Sequence, residues 1–201
     1  PSGQEIGHVM YIPKHFEGSE AEGREIMQAH GWALLTTADA DGAPVTTHLS
    51  LVWEDDGTPH GSLIGHMARA NEHWKLFSRG APSLALFWGP HAYVSPTWYA
   101  PGPKVPTWNY VVVHAYETVR LFDDRDRLRD IVRRTVEKYE SPRAEPWSMN
   151  GPEPEFLDKL LAAIVGFDSA HSFIVTATSR ARNSCHCVTV TSPSSASCSR
   201  S

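Results

Sequence analysis

Polar and hydrophobic residues alternate through three short segments in the first third of the chain. Residues 32–37, 44–53 and 61–67 have this pattern, and the turns between them both contain Asp-Gly. Alternation with a period of two is typical of half-buried β-strands, and Asp-Gly is typical of tight turns. The pattern therefore predicts an antiparallel meander. In its second strand, one face carries Val45, Thr47, Leu49, Leu51 and Trp53, and the other carries Thr46, His48, Ser50 and Val52.

Helical periodicity predicts three longer helices. The first covers residues 20–30, begins after Ser19 and carries a glutamate three residues beyond that cap, which is the capping-box pattern. The second covers residues 124–139 after Asp123, and the third covers residues 153–165. Each has apolar residues near helical spacing on one side, so each is expected to pack against the sheet.

Further strands are predicted at residues 83–88 and 110–122, and near residues 167 and 173–178, which are rich in β-branched residues. We expect one domain over residues 10–180. Residues 1–9 are expected to be a disordered N-terminal extension, since Met10 is a plausible natural start. Residues 181–201 are expected to be a disordered tail rich in Ser and Cys.

Composition narrows the classes of function. The 201 residues are 41% hydrophobic and 20% charged, and the net charge is −5, which is typical of a globular domain and unfavourable for sequence-independent nucleic-acid binding. No apolar run is long enough to span a membrane, and the N-terminus lacks a signal-peptide pattern, so a cytoplasmic location is expected. All three cysteines follow residue 184, which makes a structural zinc site improbable.

The stretch Phe87–Tyr110 is unusually rich in aromatic residues. It holds three of the seven tryptophans and three of the six tyrosines, together with five prolines. Aromatic rings with polar tips on a stiff, irregular backbone suit a flat and partly polar ligand. The alternative is a pair of core strands joined by a loop, which would require fewer such residues.

Two sets of basic residues are candidates for binding an anion. Arg69 precedes Asn71, which is a good N-cap for a short helix through Trp74, so the pair could form a phosphate cradle. The alternative is a solvated arginine beside an ordinary cap. The helix predicted at 124–139 carries five arginines, which form either a solvated face offset by acidic neighbours or a face for DNA.

Several motifs together resemble one family, the PaiB-type FMN-binding negative transcriptional regulators. They cover about residues 10 to 168 in order: Met10-Tyr-Ile-Pro-Lys-His-Phe, Thr47-His-Leu, Gly65-His-Met-Ala-Arg-Ala-Asn with Trp74, Gly89-Pro-His-Ala-Tyr-Val-Ser-Pro-Thr-Trp-Tyr, Val105-Pro-Thr-Trp-Asn-Tyr with Val113-His, Pro146-Trp-Ser and Ala163-Ile-Val-Gly-Phe. The ending differs from that of the family, and a change of reading frame near residue 168 is one hypothesis for it.

The resemblance implies a fold, a cofactor and an assembly. The fold is a mainly β, α+β split β-barrel of the pyridoxamine-phosphate-oxidase and flavin-reductase type with peripheral helices. Two copies would form a homodimer and bind FMN at their interface. The residues that we expect to contact FMN on this basis are Thr46, Thr47, His48, His66, Arg69, Asn71, Trp98, Tyr99, Trp108, Asn109 and Tyr110.

Three functions remain open at this stage. The first is an FMN-binding regulator with DNA or another protein as partner. The second is a flavin-dependent oxidoreductase that acts on a small molecule. The third is a haem-binding protein, since related split barrels bind haem. His48, His66, His91 and His114 are candidates for proton transfer in the second case, although a single histidine is more often a structural one.

Overall fold

The computed structural model describes residues 16–179, and it describes side chains as far as residue 169. This part of the chain contains eight strands and four α-helices. The strands are β1 (Glu17–Gly18), β2 (Trp32–Ala38), β3 (Pro44–Ser50), β4 (Val52–Glu54), β5 (Ser62–Ala68), β6 (Pro82–Val94), β7 (Thr107–Phe122) and β8 (Ile164–Ser179). The helices are α1 (Glu20–Ala29), α2 (Trp74–Phe77), α3 (Arg125–Glu140) and α4 (Pro154–Ala162), with a 3₁₀ helix at Pro96–Trp98.

All strand pairs are antiparallel, in the order β3-β2-β6-β7-β8-β5-β4, and β1 adds to β8. The two end strands of this order, β3 and β4, are consecutive in the chain, with only Leu51 between them. The N–H of Leu51 donates to the carbonyl of Gly31 at 2.8 Å. The chain therefore carries the sheet round on itself as a barrel, with the helices outside.

The barrel interior is filled by the inward side chains of these strands. Leu35, Leu51, Phe87, Val113 and Phe167 are all fully buried. In β3 and β4 the predicted inward face is confirmed, since Leu49 and Leu51 are buried and Trp53 packs against the core. The hydrophobic pattern of the sequence therefore determines which side of each strand faces the core.

The start of α1 confirms its prediction, whereas two other helix boundaries were wrong. The Ser19 hydroxyl accepts from the Glu22 N–H at 3.2 Å, and a Glu22 carboxylate oxygen accepts from the Ser19 N–H at 2.7 Å. Asp123 does not cap α3; Asp124 does, accepting from the Arg127 N–H at 2.8 Å. Helix α4 ends at Ala162 instead of residue 165, because the backbone from Ile164 onward pairs with β5.

The predicted strands near 167 and 173–178 are one continuous strand, β8, which pairs with β7 along its length apart from one irregularity. β6 and β7 also extend further than predicted, to residues 94 and 107. The predicted extension at residues 1–9, residues 10–15 and the predicted tail at residues 181–201 lie outside the described residues. Within residues 16–179, no helix combines the length and the apolarity that a membrane span requires.

Four polar residues are buried towards one end of the barrel. The hydroxyls of Thr37 and Ser83 hydrogen-bond at 2.7 Å, and Ser169 lies close to the Leu63 carbonyl. Glu117 is 2% exposed in this environment. Burial raises the pKa of the Glu117 carboxyl to about 8, an effect that a hydrogen bond from Ser169 partly offsets.

This raised pKa predicts a stability that depends on pH. The folded protein keeps a proton on Glu117 that the unfolded chain releases above about pH 4.3, so the contribution of Glu117 to stability should be fully present below that pH. It should fall as the pH rises towards about 8, by at most about 1.4 kcal/mol per pH unit. Glu117→Gln cannot ionise, so its free energy of unfolding should fall less over this window.

Urea unfolding across this pH range would measure the effect. Glu25→Gln, which removes an exposed carboxyl from α1, is the matched control and should follow the wild type. Parallel pH profiles for Glu117→Gln and wild type would contradict a buried, protonated Glu117.

Candidate functional site

A closed ring of hydrogen bonds joins β3 to the segment that follows β5. The Asn71 side-chain N–H donates to the Thr47 hydroxyl at 3.0 Å, and the His73 backbone N–H donates to Asn71 Oδ1 at 3.1 Å. The third side of the ring joins Thr47 Oγ1 to His73 Nδ1 at 2.8 Å. Thr47, Asn71 and His73 form the polar cluster, which fixes the chain between β5 and α2 against the barrel wall.

Burial sets the protonation state of the polar cluster. His73 is 2% exposed and packs against the Phe77 ring, and this burial lowers the pKa of its imidazole. The ring is therefore neutral near pH 7. Among the described residues, His73 Nε2 is buried with no hydrogen-bond partner. Such an orphaned buried nitrogen is uncommon in folded proteins.

The structure corrects the predicted role of Asn71 as a helix cap. α2 begins only at Trp74 and has four residues, and the residue before it, His73, makes no side-chain cap bond. Asn71 instead accepts from the backbone two residues on, which is an Asx turn. The short polar side chain is used locally, so the predicted cradle at a helix N-terminus does not form.

Arg69 lies at the end of β5 and binds the protein itself. Its guanidinium forms an ion pair with Asp123 and donates to the carbonyls of Ala162, at 3.3 Å, and Ile164, at 2.9 Å. These contacts use Nε and Nη2, and Nη1 remains for a ligand. Its binding of a phosphate stays a prediction, and its observed contacts hold the turn between α4 and β8.

Strand alternation separates three other predicted residues from the polar cluster. Thr46 and His48 lie on the outer face of β3, opposite to Thr47, and both are exposed. The Thr46 hydroxyl bonds to Thr36 across the strand pair, and His48 stacks with Trp32 at 6.5 Å between ring centroids. His66 lies on β5, and burial lowers the pKa of its imidazole.

The aromatic residues of the predicted ligand wall lie on the hairpin formed by β6 and β7. Trp98 closes the 3₁₀ helix in the hairpin loop and is 69% exposed, and Trp108 is 55% exposed. Trp108 contacts the rings of His91 and Tyr93, at 6.0 Å and 6.1 Å between centroids. We call Tyr93, Trp98, Tyr99, Trp108 and Tyr110 the hairpin aromatics; all of them except the partly buried Tyr99 are exposed.

Asn109 is separated from its two neighbours, Trp108 and Tyr110. Successive residues of a strand point to opposite faces, so the Asn109 side chain lies on the face opposite to both rings. Its Oδ1 is buried and, within the described part of the chain, has no hydrogen-bond partner. The sequence motif Trp-Asn-Tyr therefore does not form one continuous wall.

The predicted residues thus fall into separate places. Thr47 and Asn71 come together in the polar cluster, whereas Trp98, Tyr99, Trp108 and Tyr110 lie on the hairpin of β6 and β7 and in its loop. The register places the two groups apart, because β2 pairs with β6 only over residues 83–87 and the hairpin aromatics lie beyond the bulge after Trp88. Sequence reasoning missed His73, although its position two residues after Asn71 is the spacing of an Asx turn.

Comparison with known proteins identifies the family. Residues 10–170 match the family model described as "Putative FMN-binding domain". The chain is also 37% identical, over 163 residues, to the protease synthase and sporulation protein PAI 2 of Bacillus subtilis, a match that covers 79% of this chain and 75% of that protein. The chain belongs to the PaiB-type FMN-binding family. FMN is its cofactor, as the sequence predicted.

Solved structures with low sequence identity share the fold. A conserved hypothetical protein from Mycobacterium tuberculosis matches with a TM-score of 0.61 at 14% identity, covering 84% of this chain and 90% of that chain. The flavocytochrome Anf3 from Azotobacter vinelandii matches with a TM-score of 0.60 at 14% identity, covering 85% and 73%. The predicted fold class, a mostly β split barrel, is confirmed.

The polar cluster fits part of such a cofactor. FMN carries phosphate and carbonyl acceptors together with ribityl and ring donors, so it needs protein groups of both kinds. The Thr47 hydroxyl keeps one free position, which is a lone pair if it donates to His73 Nδ1 and its own proton if it accepts from that nitrogen. The hairpin aromatics offer the flat surfaces that suit an isoalloxazine ring.

Removal of Asn71 should destabilise this region measurably. Asn71→Ala removes one bond to Thr47 and one to the His73 backbone, so the free energy of unfolding should fall by about 1–3 kcal/mol. Asn71→Asp keeps the acceptor and should lose less. Urea unfolding measures both, with the exposed Asn150→Ala as control; equal stabilities for Asn71→Ala and Asn150→Ala would contradict the bridging role.

Proposed function

We propose that two copies of this chain bind FMN between them. One copy supplies the polar cluster, the other supplies its hairpin aromatics, and the assembled dimer acts as a flavin-responsive negative regulator. The observation that carries the proposal is the separation of the two groups within one chain. A ligand that needs both groups would find them together only where two copies meet.

Exposure of the hairpin aromatics supports a second copy. Trp98 and Trp108 are more than half exposed, and Tyr93 and Tyr110 are each more than 40% exposed. Contiguous exposed aromatic side chains are uncommon on monomers and typical of binding surfaces. A symmetric dimer uses the same surface of each copy, so it would form two equivalent flavin sites.

The residues of each copy then have distinct tasks. Thr47 would orient the polar edge or side chain of the flavin, with its hydroxyl held in place by Asn71 and His73, and Trp98 and Trp108 of the other copy would cover the ring and exclude water. Bound FMN supplies reversible electron transfer. In a regulator, the occupancy or redox state of the flavin would change the dimer surface that a partner recognises.

A DNA partner would have to use a surface other than the arginine face of α3. Arg125 and Arg129 pair with Asp158, Arg127 pairs with Asp168, and Arg134 pairs with Glu54. Arg133 pairs with two acidic residues of α3 itself. These carboxylates neutralise the arginines, and the net charge of the chain is −5. DNA binding stays a prediction. The cytoplasmic location stays a prediction as well.

The alternative function is a flavin-dependent oxidoreductase. It would need a small substrate over the flavin ring and a source of hydride. Anaerobic addition of NADPH to the FMN-bound protein distinguishes the two functions. In a reductase NADPH would reduce the flavin, and the visible absorbance of the oxidised flavin would be lost within the time of one turnover. Persistent absorbance favours the regulator. Haem binding stays a third prediction, and the buried His73 offers no accessible nitrogen for an iron ion.

A complementation experiment tests the shared flavin site. One variant carries Thr47→Val and Asn71→Ala, and a second carries Trp98→Ala and Trp108→Ala. Each alone should retain little FMN after desalting. When the two are co-expressed in equal amounts, random pairing makes half of the dimers mixed, and each mixed dimer has one intact site. About a quarter of the sites should then hold FMN, measured by visible absorbance.

The control is Thr135→Val, which changes a threonine of α3 outside both groups and should retain FMN. A mixture that holds no more FMN than its parts would show that the site is not shared between copies. Full FMN retention by either double variant alone would show that those residues are not in the flavin site.

A further inference from the structure

A second group of polar and aromatic side chains lies on the outer face of the barrel, away from the polar cluster. It contains the end of α3, at Lys138 and Tyr139, and the edge of the sheet where β2 begins and β3 ends, at Trp32 and Ser50. The Ser50 hydroxyl donates to the Tyr139 hydroxyl at 3.0 Å. This bond leaves the Tyr139 proton for another acceptor.

Lys138 is the cation of this group. It is half-buried, and among residues 16–169 no carboxylate lies within ion-pair distance of its ammonium. Burial lowers the pKa of Lys138. The neighbouring cations of α3 differ in this respect, since Arg133 and Arg134 both have carboxylate partners. A half-buried ammonium without an acceptor is costly unless an anion occupies the space beside it.

Gly31 lets these two donors approach the backbone, and therefore each other, closely. A Cβ at this position would lie 2.6 Å from Lys138 Nζ, 2.6 Å from Tyr139 Oη and 2.7 Å from the Leu51 carbonyl oxygen. Atoms do not approach a real Cβ so closely, so any side chain here would displace both donors. The absence of a side chain therefore lets the ammonium and the phenol hydroxyl converge on one small region.

An aromatic surface adjoins this region. Trp32 pairs directly with Ser50 across the strands, so both side chains leave the same face of the sheet within about 5 Å of each other. Trp32 is 61% exposed and is stacked on His48 with an angle of 24° between the rings. A ring placed over Trp32 would bring a directly attached acidic group close to Lys138 and Tyr139.

We infer that this outer-face group is a binding site for a small aromatic acid, with the acidic group on Lys138 and Tyr139 and the ring on Trp32. The acidic group is a carboxylate or a phosphate joined directly to the ring. FMN is a poor match, because its five-carbon ribityl chain separates phosphate from ring. The site is therefore separate from the proposed flavin site.

Calorimetric titration of the FMN-saturated protein tests the site with benzoate and phenyl phosphate as probes. Both should bind, and the tighter one identifies the preferred acid. Acetate and benzyl alcohol, which each carry half of the recognised chemistry, should bind at least tenfold more weakly than the preferred probe. Lys138→Met, Tyr139→Phe and Trp32→Ala should each weaken that probe at least tenfold while FMN retention stays unchanged.

Lys159→Met is the matched control, because Lys159 is an exposed lysine of α4 without an ion pair in the described chain, and it should bind the probe like the wild type. Equal probe affinity in the Lys138 and Lys159 variants would overturn the inference. So would binding as weak as that of acetate. Displacement of the probe by excess FMN would mean that flavin occupies this face, and would overturn it as well.

Discussion

The closure of the barrel at Leu51 is the constraint on which the two candidate sites depend. Its N–H donates to the Gly31 carbonyl, and its side chain is fully buried between β3 and β4. A bend at this residue brings the two ends of the sheet together without a loop. It also fixes the register of β3, so that Thr47 faces inward to Asn71 and His73 while Ser50 faces outward to Tyr139.

Electrostatics reinforce the closed barrel from outside. Asp168 on β8 is largely buried and accepts from Arg120 on β7 and from Arg127 on α3. A buried carboxylate is stable only when it is paired, so the two arginines fasten α3 to the sheet beside it. The same ion pairs neutralise arginines that the sequence alone would predict to face solvent or DNA. Whether the arginines of a sequence form a basic face can be decided only when their carboxylate partners are known.

Local patterns in the sequence were sufficient to predict most of the strands and helices. Alternation located the meander, the capping box located α1, and β-branched residues located both parts of β8. The failures have local causes. Asp123 and Asp124 are equally good caps by type, and the choice depends on the ion pair that Asp123 makes with Arg69, 54 residues earlier in the chain. Asn71 serves a turn as readily as a helix start, and only the contact with Thr47 decides between them.

The candidate site was less predictable because neighbouring residues in a strand face different environments. Thr46, Thr47 and His48 are consecutive in the sequence but lie on two opposite faces of β3. Trp108, Asn109 and Tyr110 are divided in the same way. Contact between the hairpin aromatics and the polar cluster would form only when two copies assemble. A single sequence does not predict that contact, and in a single chain its only sign is that the aromatic side chains are exposed. An aromatic motif with polar neighbours therefore indicates that a ligand or a partner binds, whereas strand alternation decides which of its residues can touch that ligand.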